Sequence, residues 1–365
     1  MIPIRLAATP PKTGATTFCR PLQAHVSSLL LTILFLPAIG FCQAWVEDKG
    51  EGVVSLTYQT VNFKGHYGED GTKYPELFPL RTHSLTWELD YGLTPKLTLN
   101  VSLPYVTSKF KGDQQTIDEN RALFDQLQQE AGGIYQHGFI DDGSYHGFIQ
   151  DFRINARYNI TSRPLMITPF VAFGVPSHDY PYIGESAAGR NLKELTIGYS
   201  MGRILGPFLP RVYLQAQHSY AFVQKADGVS TNHTNISLEG GYILTRRLVV
   251  SGVGYYQQTN GGLHVPGDFT TPQLILTHDR LLKASFWHLG TGALFRVNRR
   301  LSITGEFVSF ISGSNAHFGS GFSFSMNWRF THRRRRYSGD TASARLRERP
   351  RRYRGFTPTE LASKP

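Results

Sequence analysis

Hydrophobic and polar residues alternate with a period of two along most of the chain from Gly52 onward. The clearest case is 84–103, where apolar residues or Pro occupy every odd position and polar residues or Gly every even one. This period is that of a β-strand with one apolar and one polar face. Because Gly92-Leu93-Thr94-Pro95 reads as a tight turn, the segment is predicted to be a hairpin.

Twelve segments fit this strand pattern, an even number. They are 52–63, 81–92, 96–107, 148–160, 165–175, 192–203, 210–223, 233–244, 248–258, 282–296, 301–311 and 317–330. The connections after the second, fourth, sixth, eighth and tenth strands are short, whereas most of the others are long and polar. This pattern predicts an all-β fold, a transmembrane antiparallel β-barrel of about 12 strands with long extracellular loops and short periplasmic turns. A soluble all-β protein remains the alternative, because alternation is a weak signal in each single segment.

Two local features qualify this barrel. Pro104 and Pro169 lie inside predicted strands, and each requires a bulge or an early strand end, since a closed barrel has no free edge for a residue without an N–H. The longest loop, 108–146, contains the capping box Thr116-Ile117-Asp118-Glu119, which predicts a helix over 117–131. That helix either folds into the pore or lies over it as a lid.

The N-terminal segment has the pattern of an export signal. A basic stretch precedes the apolar residues Ser28 to Leu36, and Cys42-Gln43-Ala44 offers a peptidase site after Ala44. We therefore expect residues 1–44 to be a signal peptide. The run is too short and too interrupted for a spanning helix. Both cysteines, Cys19 and Cys42, lie in this leader, so a disulfide scaffold is not expected.

The formal charge of +11 comes from the two ends of the chain. Residues 45–330 carry 24 basic and 24 acidic residues, whereas 331–365 carry 11 basic and 3 acidic ones. The barrel itself therefore gives no reason to expect nucleic acid as a partner. Residues 331–365 are predicted to be a basic, Arg-rich disordered tail.

The last predicted strand carries an aromatic stripe and ends on an aromatic residue. This pattern resembles the terminal strand that the barrel-assembly machinery of Gram-negative bacteria recognises. We therefore expect a membrane assembly signal, formed by Phe322, Phe324, Met326, Trp328 and Phe330. Outer-membrane lipid and lipopolysaccharide are the other expected partners, in the cell outer membrane.

If the apolar side chains face lipid, the polar positions of the same strands line the lumen. The expected lumen-lining residues are Glu88, Asp90, Asp151, Arg153, Arg157, Glu194, Gln215, Gln217 and Glu239. Opposed charges across a narrow pore select small polar or amphipathic solutes. Alternatively, the charged side chains pair with each other and fill the barrel. The width of the lumen grows with the number of strands, and twelve lies between a barrel of eight strands, which side chains fill, and an open porin of sixteen.

An enzyme is not expected. A resemblance to the outer-membrane phospholipase A family would require a Ser two residues after a His, and no His within 45–330 is followed by Ser at that spacing. No residue pattern indicates a cofactor, and Asp141-Asp142 lacks the spacing of a calcium loop, so no metal is expected.

Residues 45–330 are similar to the outer-membrane barrels assigned to the meta-pathway of phenol degradation. The resemblance rests on Lys49 to Leu56, on Asp90 to Leu97 with Leu103-Pro104-Tyr105-Val106, and on Pro169 to Pro176. It implies a porin or transporter for small, often aromatic, compounds. The Arg-rich extension departs from that family, whose chains usually stop at the terminal aromatic residue.

The predicted function is therefore a channel for passive passage of small polar, amphipathic or aromatic solutes. The alternative is a structural or surface-interaction barrel with a filled, non-conducting lumen. Candidate stacking residues for an aromatic solute are Tyr67, Tyr74, Tyr135, Tyr145, Tyr180, Tyr182 and Tyr213.

Overall fold

The computed structural model of the chain describes residues 44–130, 137–206, 208–264 and 272–331. The predicted signal peptide, apart from Ala44, and the predicted tail, apart from Thr331, lie outside the described residues. Both therefore stay predictions, as does the cleavage position after Ala44.

Thirteen strand segments of the described residues form one sheet. They are β1 Glu51–Tyr67, β2 Lys73–Gly92, β3 Leu97–Phe110, β4 His146–Ile149, β5 Asp151–Tyr158, β6 Met166–Pro176, β7 Glu194–Ile204, β8 Val212–Val223, β9 Thr231–Ile243, β10 Leu248–Gly261, β11 Ser285–Arg296, β12 Leu301–Ser314 and β13 Ala316–Thr331. Each pairs antiparallel with its neighbours, and β1 pairs with β13 from Glu51↔Thr331 to Tyr67↔Ala316, which closes the sheet. Since β4 and β5 both pair with β3, they occupy one strand position, and the barrel has the predicted twelve strands.

The outer surface of the barrel is apolar. Side chains such as Leu56, Leu85, Ile197, Leu238 and Phe322 are exposed, whereas their inward-facing neighbours are polar. A soluble protein rarely exposes an apolar belt of this extent, and in a closed barrel lipid covers it. The chain is therefore an outer-membrane β-barrel. No helix among the described residues is long and apolar enough to cross a bilayer.

Both prolines lie where pairing is irregular, as the sequence requires. Between Ser102↔Arg153 and Tyr105↔Ile149, β3 has two residues and its partner three, and Gln150 N donates to Pro104 O at 2.9 Å. The extra residue separates β4 from β5. On the other side of β5, pairing with β6 ends at Arg157↔Phe170, next to Pro169.

Two helices of the described residues lie in the long extracellular loops. Helix α1 is Gln114–Glu130, which corrects the predicted start at Ile117. Its N-cap is Asp113, whose Oδ1 accepts hydrogen bonds from Thr116 N (2.9 Å) and Thr116 Oγ1 (2.7 Å), so Thr116 is a donor to the cap and is not itself the cap. Helix α2, Pro272–Leu281, was not predicted, although Pro at a first helical position is a known start signal.

Candidate functional site in the barrel lumen

The interior of the barrel contains a cavity of about 800 Å³. Its lining comes from the inner face of the closed sheet, with polar side chains on most strands and aromatic groups on β6, β10, β11 and β12. The cavity is the candidate site, because a solute that crosses the barrel must pass through it.

One wall of the cavity carries a buried ion pair. Arg157 on β5 donates to Asp90 Oδ1 on β2, across β3, and both side chains are buried. Glu88 lies two residues from Asp90 on the same face and also lines the cavity. Two carboxylates and one guanidinium thus share this wall.

Glu194 at the extracellular end of β7 is the centre of a second charged group. Its carboxylate lies 3.6 Å from Arg153, 3.6 Å from Arg190 and 3.7 Å from His233, and it accepts a hydrogen bond from Thr196 Oγ1 at 2.8 Å. The side chain of Arg153 is 50% exposed to the cavity, whereas Arg157 is 5% exposed. Arg153 is therefore the more accessible cation of the two.

The opposite wall is aromatic. Tyr255 on β10 stacks on His288 on β11 with ring centroids 4.8 Å apart, and Phe310 on β12 meets His288 edge-on at 5.4 Å. Phe286 lies 5.9 Å from Tyr255 and 5.6 Å from Phe310. These four residues, the aromatic cluster below, all line the cavity.

The aromatic cluster has two polar edges. The Tyr255 hydroxyl lies 2.8 Å from Asn235 Oδ1 and 3.0 Å from Gln257 Oε1, and it interacts electrostatically with Glu194 and Arg153. Neither ring nitrogen of the buried His288 has a hydrogen-bond partner among the described residues. The cluster therefore offers flat apolar rings beside charged and hydrogen-bonding groups.

The extracellular end of the cavity is covered by a roof, which we define as α1, α2 and the loop 177–193. Phe124 and Leu127 of α1 pack with Ile183 of the loop and Leu276 of α2. The Arg280 guanidinium lies 3.8 Å from the centre of the Tyr182 ring. Since α1 follows β3 and α2 follows β10, on opposite sides of the barrel, the roof spans the mouth. Among the described residues that line the cavity none belongs to α1, so the helix lies above the lumen.

Buried carboxylates lie in the roof and next to it. Asp141 accepts hydrogen bonds from Glu185 N (2.8 Å), Ser186 N (2.7 Å) and Ser186 Oγ (2.7 Å). Burial and the nearby carboxylates of Asp141 and Asp279 raise the pKa of Glu185 well above its usual range. Among the described residues, no group of three or more His, Cys, Asp and Glu side chains has the geometry to hold a metal ion.

The periplasmic end is covered by the N-terminal segment, residues 44–48. Ala44 N donates to Gln215 Oε1 (3.2 Å), and Ala44 O accepts from Thr168 Oγ1 (2.6 Å). Glu47 binds the opposite side of the barrel, where its carboxylate lies 2.9 Å from Arg329 on β13.

Trp45 fills the space beneath the N-terminal segment. Its ring meets Tyr213 edge-on at 6.0 Å, and it packs on an apolar cluster around Tyr213, Ile243 and Val249. Both mouths of the lumen are therefore covered by packed chain.

The structure brings most of the expected lumen residues together. Those that line the cavity are Glu88, Asp90, Asp151, Arg153, Arg157, Glu194 and Gln217. Gln215 and Glu239 lie toward the periplasmic end, where Gln215 Nε2 and the Tyr213 hydroxyl each donate to the Glu239 carboxylate at 2.6 Å. Phe322, Phe324, Met326 and Trp328 are exposed on the outer face, and their role as an assembly signal stays a prediction.

The aromatic cluster was not among the expected site residues. Of the expected stacking residues, Tyr135 lies outside the described part of the chain, and the described ones do not line the cavity. Tyr180, for instance, is fully buried and donates to Asp151 Oδ1 at 2.6 Å. The sequence signal for the cluster is the aromatic run Phe286-Trp287-His288, which puts aromatic rings on both faces of β11.

No family model matches this chain, and no curated protein matches it. Among solved structures, an outer-membrane channel from Pseudomonas putida F1 is similar at 13% identity and TM-score 0.59, over 80% of this chain and 99% of that chain. The translocator domain of the autotransporter NalP from Neisseria meningitidis has 11% identity and TM-score 0.44, covering 84% and 97%. The KdgM porin with disordered oligogalacturonate has 6% identity and TM-score 0.40, covering 76% and 99%. The first similarity shows a shared barrel fold, and the other two scores are too low to carry an argument.

Proposed function

We propose that the protein is an outer-membrane channel for passive passage of a small amphipathic or aromatic solute. The proposal rests on one arrangement, in which the aromatic cluster and the wall that carries Arg157 and Asp90 face each other across the same cavity. Flat rings of a solute stack on Tyr255, Phe286 and Phe310, while an acidic or hydroxyl group reaches Arg153 or His233. The resemblance of residues 45–330 to barrels of phenol degradation supports the same solute class.

Passage through this cavity requires displacement of the material at both mouths. The roof has to move at the extracellular side, and the N-terminal segment at the periplasmic side. We propose that α1 acts as part of a gate, because the side-chain packing of Ile117, Phe124 and Leu127 holds it over the mouth.

The test is single-channel recording of the full chain in planar bilayers with benzoate, using acetate as the non-aromatic anion. We expect benzoate to interrupt the current for longer than acetate does. Phe310→Ala removes a ring of the aromatic cluster, and we expect it to shorten the benzoate blocks about two- to tenfold. Phe307→Ala is the matched control, because Phe307 lies on the same strand and packs against lipid-facing Phe322. Equal block times for benzoate and acetate would contradict an aromatic solute.

A second candidate function is a structural or surface-interaction barrel. It is favoured by the pairing of the lumen charges and by the cover at both mouths. Deletion of 112–135 distinguishes the two candidates. A barrel that stays folded and non-conducting after this deletion, and also after removal of the N-terminal segment, would support the structural alternative.

A further inference from the structure

The five short turns at the periplasmic end share one charge pattern. They are 93–96, 159–165, 205–211, 244–247 and 297–300, and none contains Asp or Glu. Each contains at least one exposed cation, and the full set is Lys96, Arg163, Arg211, Arg246, Arg247, Arg299 and Arg300. Neighbouring strands of the barrel meet at six places on its periplasmic rim. The five turns occupy five of these places, so the cations are distributed around the rim. The sixth, where β1 meets β13, instead carries Glu47 and Glu51 beside Arg329.

Three of these turns are built in the same way. The side-chain oxygens of Thr94, Thr245 and Asn298 each accept the backbone N–H groups two and three residues further on, at 2.8–3.2 Å. The residue two positions on is a cation each time, namely Lys96, Arg247 or Arg300. Such turns are ordered by their own hydrogen bonds, so the cations stand on fixed backbone.

Each basic turn also exposes an apolar side chain. Leu93, Ile160, Leu209, Leu244 and Val297, one in each turn, are 39–55% exposed. A cation follows each of them by two or three residues, for example Leu93 and Lys96 or Val297 and Arg299. Every turn thus has an apolar group for the hydrocarbon edge and a long basic side chain that reaches the headgroup level.

We propose that these basic turns bind the phosphate groups of anionic phospholipids in the periplasmic leaflet. Charge complementarity supports the ligand, because the five turns together contain seven basic residues and no acidic one. The distribution around the rim supports lipid over a protein partner. A docked protein contacts one side of a barrel, whereas lipid surrounds it, and every turn carries its own exposed apolar group.

The test is native mass spectrometry of the full chain released from nanodiscs of phosphatidylcholine and phosphatidylglycerol in equal parts. We expect the wild type to retain phosphatidylglycerol preferentially at low salt and to lose this preference at high salt, because salt screens exposed charges. The salt comparison needs no substitution, so it stays informative if a variant fails to fold.

Two variants with equal loss of charge locate the site. The turn variant carries K96Q, R211Q, R246Q, R247Q, R299Q and R300Q, and the control, with exposed extracellular cations replaced, carries K64Q, K73Q, R81Q, K111Q, K193Q and K225Q. We expect the ratio of retained phosphatidylglycerol to phosphatidylcholine to fall about threefold or more in the turn variant and to stay unchanged in the control. Both are checked for the heat-modifiable folded band.

Three results would overturn the proposal. They are a wild type that retains both lipids equally, an equal loss in the extracellular variant, and a preference that high salt does not change. If the wild type shows no lipid preference but sediments with purified peptidoglycan, and the turn variant does not, the basic turns bind the cell wall instead of lipid.

Discussion

The two ends of the lumen are covered in different ways. At the extracellular end, three segments far apart in sequence bury Phe124, Leu127, Ile183 and Leu276 against one another. At the periplasmic end, the N-terminal segment is held by the hydrogen bond from Glu47 N to Thr98 Oγ1, the ion pair of Glu47 with Arg329 and the side chain of Trp45. In the uncleaved chain, the two hydrogen bonds of Ala44 add to these contacts. The roof is a small hydrophobic core of its own, whereas the N-terminal segment is a tether with one apolar anchor.

The two ends therefore differ in the free energy that opening them costs. Opening the roof exposes several large apolar side chains at once, because they pack on each other. Opening the periplasmic mouth exposes one indole and exchanges a small number of hydrogen bonds for bonds to water. We therefore expect the periplasmic cover to respond most strongly to substitution.

The largest expected effect is on the N-terminal segment. Trp45→Ala with Glu47→Ala removes the indole from the cluster around Tyr213 and the ion pair with Arg329. Because the two covers lie in series, both substitutions are made in a chain that also lacks 112–135, and we expect its single-channel conductance in planar bilayers to be several-fold that of the deletion alone. Trp87→Ala is the control, since Trp87 is exposed on the outer face. An unchanged conductance relative to the deletion alone would contradict the easier opening of the periplasmic end.

The second prediction compares two arginines on one strand. Arg157→Gln leaves Asp90 buried without its partner, and we expect a loss of about 3 kcal/mol in the free energy of unfolding. Arg153→Gln changes a half-exposed side chain, so we expect little loss of stability and a change in ion selectivity. The temperature at which the folded band disappears on gels measures the stability, and reversal potentials in a salt gradient measure the ion selectivity. Equal loss of stability in the two variants would contradict the assignment of Arg157 to a buried ion pair and of Arg153 to a half-exposed position.

The third prediction concerns pH and the roof. The pKa of Glu185 is raised in the folded roof, so its carboxyl ionises more readily when the roof is open. The roof is therefore most stable below the ordinary pKa of about 4.5 and loses stability as pH rises above it. Glu185→Gln removes this loss, and we expect slower hydrogen exchange in 177–193 than in the wild type at pH 7.5, with little difference at pH 4. Glu119→Gln, on the exposed face of α1, is the control.

The strands of this barrel were predictable because alternation is a local property. Residues 84–103 show both faces of a hairpin without any knowledge of their neighbours, and the closed barrel follows from the number of strands and the lengths of the turns. The same reasoning assigns Asp90, Arg153 and Glu194 to the lumen, since they lie on polar faces of well-patterned strands.

The rest depends on contacts between distant segments. Phe286 and Phe310 are apolar, so a rule that points apolar residues toward lipid assigns them to the wrong face. Only the register of β11 and β12 puts them beside Tyr255 in the cavity. The N-terminal segment likewise has no pattern of its own, and its position follows from bonds to residues as distant as Gln215 and Arg329.

The smallest expected effect is at the start of α1, where sequence and structure name different caps. The sequence box favours Thr116, whereas in the structure Asp113 Oδ1 accepts the Thr116 N–H at 2.9 Å. Asp113→Ala should therefore raise the hydrogen-exchange rate of the first turn about fivefold. Asp113→Asn keeps a side-chain acceptor and should restore most of the protection. Thr116→Val leaves the backbone N–H in place and should have a smaller effect than Asp113→Ala. A larger effect of Thr116→Val would instead identify Thr116 as the N-cap, as the sequence predicts.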